Sequence, residues 1–179
     1  NMFKKLLTGL ILISISTISY ANELISFEQE QISINIPADW NILKKEQVDH
    51  IKNTASSTIN QHIESRTILG ATSHINDHFG QIRLSINDDI TLTENMLLGL
   101  KQNEIMELKL EIEKSVQKFS QKAGITVFNI NASILYSPKI ATLISYIRSG
   151  KNNSYWLVKK YRFPDSKHNR EIMLTLSYD

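Results

Sequence analysis

The sequence predicts an α+β fold in which a large antiparallel sheet carries helices that do not alternate strand by strand with it. Three observations predict it. The stretch 125–178 reads as four strands in succession, joined by short turns. A single long stripe of apolar residues at helical spacing precedes it, from Leu97 to Phe119. Two further pairs of alternating segments, within 23–36 and 67–87, read as hairpins with one thin helical stripe between them. The predicted order is therefore hairpin, helix, hairpin, long helix and four-strand meander.

At the N-terminus, Lys4 and Lys5 precede an apolar run from Leu6 to Ile18, and Ser19-Tyr20-Ala21 follows with small residues at both specificity positions of a signal peptidase. The run is shorter than the roughly 20 residues of a membrane-spanning helix. It predicts a signal peptide, 1–21, cleaved after Ala21, and hence a periplasmic or secreted protein with no transmembrane span after cleavage. The remainder, 22–179, is long enough for one domain. The chain has no cysteine, so packing alone must stabilise an exported domain.

In the first hairpin Ile32, Ile34 and Ile36 alternate with polar residues, and Pro37 ends the ladder because it has no amide to donate. Val48, Ile51, Ala55, Ile59 and Ile63 then give one apolar stripe of a peripheral helix. Thr67–His74 and Gln81–Asn87 read as the second hairpin, with a bend or bulge expected at Gly70. Thr91 and Glu94 have the spacing of a capping box opening the long helix. Its stripe is Leu97, Leu100, Ile105, Leu108, Ile112, Val116 and Phe119; Gly99 is a point of weakness, and Gly124 the stop. In the meander, Ser137-Pro138, 149–153 and Pro164-Asp165-Ser166 supply the turns. Ile172, Leu174 and Leu176 are expected to lie beneath the long helix, against Leu108, Ile112 and Phe119.

Formal charge is +2, from 20 basic and 18 acidic side chains, but it is unevenly spread. Residues 22–113 carry 15 acids and 7 bases, whereas 114–179 carry 11 bases and 3 acids. Solvated elements of opposite sign explain this, and so does a basic sheet face that meets an acidic partner. Trp156, Lys160 and Arg162 share one face of a strand, and aromatic and arginine side chains supply most interface hot spots, so these three are the candidate partner-binding residues. In an exported chain the expected partner is a protein and not nucleic acid.

Catalytic signals are sparse. No Gly-x-Ser-x-Gly motif, Gly-rich phosphate loop or cysteine nucleophile occurs. His74, Asp77 and His78 sit at a hairpin tip and form the one weak metal candidate, since open zinc sites use about three ligands. No cofactor and no catalytic residue are expected, and a metal-dependent enzyme built on that tip is the alternative, as is an envelope- or lipid-associated binding protein.

The order of elements, with Ile34-Asn35-Ile36-Pro37-Ala38-Asp39-Trp40 at the start and strands at 141–148, 155–163 and 172–178 at the end, resembles the PsbP-like superfamily. That group includes photosystem II extrinsic proteins, a Ran-binding nuclear-import factor and the DcrB family. Asp39 stands where those proteins usually have glycine. The resemblance implies an α/β/α sandwich with a central antiparallel sheet, and a binding module or assembly factor, not an enzyme.

Overall fold

The computed structural model describes residues 22–50, 65–75, 77–150 and 153–179. The expected signal segment and most of the expected helix over 48–63 lie outside them. The described residues form an α+β fold with few helices and a large antiparallel sheet. The chain divides into two compact units, one up to Ala38 and the other from Asp39.

The first unit holds a two-stranded hairpin, β1 (Asn22–Phe27) and β2 (Ile32–Pro37). Ile32, Ile34 and Ile36 point to the less exposed side, and Ile36 is fully buried. Gln31 closes the turn in the left-handed region.

The second unit is a seven-stranded sheet in the order β3-β4-β5-β9-β8-β7-β6. Its strands are β3 (Asn41–Ile42), β4 (Arg66–Ile75), β5 (His78–Asn87), β6 (Val127–Leu135), β7 (Ala141–Ser149), β8 (Tyr155–Asp165) and β9 (Arg170–Tyr178). The four-strand meander and the second hairpin are present as the alternation predicts, and β5 pairs with β9 to join them. β3 is an addition, two residues paired to the β4 edge. The expected irregularity in β4 falls between Thr67 and Leu69, not at Gly70. Gly70 is small for another reason: a Cβ there would come within 3.1 Å of both Leu43 and Val48.

Among the described residues three α-helical segments accompany the sheet, α1 (45–50), α2 (Glu94–Gly99) and α3 (Gln102–Ala123), with a short 3-10 turn at Ser166–His168. The predicted long helix is thus two helices. Gly99 ends α2, Leu100 is extended, and Lys101 opens α3, its amide donating to the Glu104 carboxylate at 2.6 Å. The N-cap of α2 is Thr93, whose hydroxyl accepts from the Met96 amide, not Thr91. Gly124, at φ 64°, closes α3 as a left-handed cap that few other residues adopt without strain.

α3 packs over β6 and β7, where Ile112 meets Ala132 and Ile144, with Leu108, Val116 and Tyr146 around them. Ile144 is in register with Lys160 and, through it, with Thr175, so Leu174 projects from the other side of the sheet. The expectation that Ile172, Leu174 and Leu176 lie under α3 is therefore corrected. Phe119 is also outside the buried stripe, at 45% exposure, and Ser120 occupies the buried position in its place.

Candidate cationic face

One row of residues in register crosses six strands: Ala132, Ile144, Lys160, Thr175, Arg83 and Gly70. Cross-strand partners point to the same side of a sheet, so this row is a section through one face. Its two ends are apolar: α3 covers Ala132 and Ile144 at one, and Leu43 and Val48 cover Gly70 at the other. Its middle is polar. Lys160 and Arg83 stand on either side of Thr175, a short hydroxyl residue on β9, the central strand.

The next row towards the β8–β9 turn contains Arg162 in register with Met173. Arg162 donates through Nε and Nη2 to one oxygen of Glu171, at 3.0 and 2.8 Å. The Glu171 side chain is 4% exposed and that of Arg162 26%. A carboxylate so buried needs both a counter-charge and donors, and Arg162 supplies them.

The row in the other direction places Tyr146 opposite Val158, and beyond it Arg148 opposite Trp156. The Arg148 guanidinium lies 5.3 Å from the centre of the Trp156 ring, within reach of the ring's negative face. Gly150 admits the indole: a Cβ there would come within 2.8 Å of Trp156 Cδ1. The turn amide of Gly150 donates to the Ser154 carbonyl at 2.8 Å, which fixes that approach.

Arg83, Arg148, Lys160 and Arg162 thus share a face on which Glu171 is the one carboxylate that β5, β7, β8 and β9 contribute. The effect on the ammonium of Lys160 is direct. Burial pushes it down to about 8, the charges of Arg162 and Arg83 push the same way, and Glu171 opposes them. Burial raises the phenol of Tyr146, while Arg148 and Arg83 act in the opposite sense. Among the described residues neither Arg83 nor Lys160 has an acid within ion-pair distance. An anion placed here would meet two cations that no described acid pairs directly.

The sequence-predicted trio Trp156, Lys160 and Arg162 does lie on one face. Its members have separate surroundings: Trp156 is under Arg148, Lys160 is half-buried beside Thr175, and Arg162 is committed to Glu171. Sequence reading missed Arg83, Arg148, Tyr146 and Glu171. Arg83 carried a signal, as a cation on the polar side of β5, but its place beside Lys160 depends on the β5–β9 pairing.

The other candidate cluster is not brought together. His74 stacks on Phe79 with ring centroids 4.2 Å apart, while His78 approaches Asp179 at 3.8 Å. His74 pairs with Phe79 and His78 with Ile75, which places the two imidazoles on opposite faces of the hairpin. Asp77 takes the left-handed turn position. Among the described residues no group of three His, Cys, Asp or Glu side chains is arranged to hold a metal. No helix among them is long and apolar enough to cross a membrane.

Comparison of the chain with protein-family models, with curated proteins and with solved structures finds no match.

Proposed function

We propose that this protein is an exported, non-enzymatic binding or assembly factor whose cationic sheet face receives an acidic segment of a partner protein. The observation that carries the reading is the excess of charge on that face, four cations from three strands against one carboxylate already held by Arg162. Trp156 and Arg148 add a stacked aromatic and guanidinium at its margin, the residue types that anchor interfaces. The sequence supports the non-enzymatic half, because it contains no nucleophile motif and no phosphate loop. The run ending at Ala21 supports export. The PsbP-like resemblance, with its α/β/α sandwich and its adaptor members, points the same way, and assignment to that superfamily is part of the proposal.

Titration of the full chain with a hexaglutamate peptide tests the reading at low and at physiological salt. Binding at low salt that weakens at least tenfold in an Arg83→Glu/Arg148→Glu variant is the expected result, with attenuation as salt screens exposed charge. Equal binding by the native protein and the variant, or none by either, overturns it.

A further inference from the structure

The middle of the cationic face has a geometry more specific than a general positive field. Arg83 and Lys160 are each in register with Thr175, one from β5 and one from β8. Their Cα atoms are two strand spacings apart, about 10 Å. Between them β9 presents short hydroxyl side chains, Thr175 and, two residues on, Ser177. Cationic residues of both flanking strands thus lie on the same side of the sheet as a row of hydroxyl side chains that can themselves donate hydrogen bonds. The next residues of the same row are apolar on both sides: Ile144 packs against Ile112 of α3, and Gly70 lies under Leu43 and Val48.

The charge count narrows the ligand. Glu171 neutralises Arg162, and Arg148 stands over Trp156 at the margin of the face. What remains at the centre is the charge of Arg83 and Lys160, two units with no described acid within ion-pair distance. We propose that Arg83 and Lys160 form a two-cation seat over Thr175 for a compact dianion of the phosphate class, free or carried as a monoester. A guanidinium offers a planar fork to such an oxyanion and an ammonium a compact point charge. The seat rests on the reading of this face as an anion-recognition surface, and it names the group recognised at its centre.

The groups that face Lys160 are Arg162 on its own strand, Arg83 from β5 and Glu171 from β9, and all three bear on its ammonium. From β7 its register partner is apolar Ile144, with Tyr146 beside Arg83 and Arg148. A dianion in the seat adds negative charge to a set in which cations predominate, so it holds Lys160 protonated to higher pH.

Calorimetric and NMR titration of the full chain with inorganic phosphate tests the seat. Arg83→Gln, which removes the charge and keeps a polar side chain, is the first variant and Lys160→Met the second, with urea denaturation of each to check that it folds. The expected results are saturable binding, a shift of the Thr175 amide resonance, and at least tenfold weaker binding in either variant. Lys159→Gln, on the opposite side of β8, leaves binding unchanged. The Lys160 titration midpoint rises from about 8 to roughly 9 or above at saturating phosphate. Phosphate that does not bind, or binds both variants as well as the native protein, overturns the seat. If hexaglutamate still binds in that case, the acidic-partner reading stands without it; if neither probe binds, both fail. A phosphoserine peptide distinguishes the sources, because tighter binding than both inorganic phosphate and the unphosphorylated peptide assigns the seat to a monoester, and parity with inorganic phosphate assigns it to the free ion.

Discussion

Arg162 and Glu171 face each other across the β8–β9 ladder, two guanidinium nitrogens on a single carboxylate oxygen at 3.0 and 2.8 Å, with Glu171 almost wholly buried. This pair allows the sheet to carry so many cations on one side. Glu171→Gln keeps the shape and removes the charge, leaving Arg162 and Lys160 without their nearby anion. A stability loss of about 1–3 kcal/mol is expected, with a further fall in the Lys160 midpoint, since Glu171 is the group that raises it. Urea denaturation and lysine side-chain NMR measure the two effects.

Lys160 gives the fold a pH dependence opposite to that of a stabilising ion pair. Its folded midpoint, about 8, lies below the ordinary 10.5, so between these values the unfolded chain binds more protons than the native one. Stability therefore rises with pH through that window, and the cost of the buried charge is present in full below pH 8. Lys160→Met is expected to stabilise the protein by roughly 2 kcal/mol at pH 7. It also flattens the rise between pH 8 and 10.5. Equal slopes for the two proteins in that window remove Lys160 as the source.

Ile112 and Phe119 test the placement of α3. Ile112 is buried against Ala132 and Ile144, whereas Phe119 is 45% exposed. Ile112→Ala is expected to cost about 2–4 kcal/mol, and Phe119→Ser less than about 1 kcal/mol. Comparable losses in chemical denaturation contradict the observed face.

Gly80 is held to its size by Trp40, whose Cη2 would lie 2.9 Å from a Cβ at that position. Gly80→Ala forces the indole to move and is expected to cost about 1–3 kcal/mol. Trp40 fluorescence should shift in parallel. In the Trp40→Ala background the same substitution is expected to cost little, and an unchanged penalty there excludes the indole as its cause.

Six of the seven strands of the large sheet are legible in the sequence, because side-chain alternation has a period of 2 and is written locally. The β8–β9 turn is legible only in part: of the expected Pro164-Asp165-Ser166, Pro164 and Asp165 are the last residues of β8, paired with Glu171 and Arg170, and the reversal is made by residues 166–169. Even the break at Gly99 shows, because glycine weakens a helix wherever it falls. β3 does not, since two residues cannot display a period; its place follows from the Leu43 amide bonding to the Gly70 carbonyl.

Only tertiary structure decides which side of the sheet each pattern serves. Alternation says that Lys160 and Arg162 share a face, and is silent on whether α3 covers that face or the one bearing Leu174. It is equally silent on Arg83, 77 residues earlier, which reaches Lys160 because β5 pairs with β9 and sets Thr175 between them. A periodic pattern fixes the direction of a side chain relative to its own strand; its neighbours are fixed by cross-strand register, which depends on the simultaneous pairing of distant segments. Six strands and their succession along the chain are therefore legible locally, while the cationic centre exists only once the ladder between β5, β9 and β8 has closed.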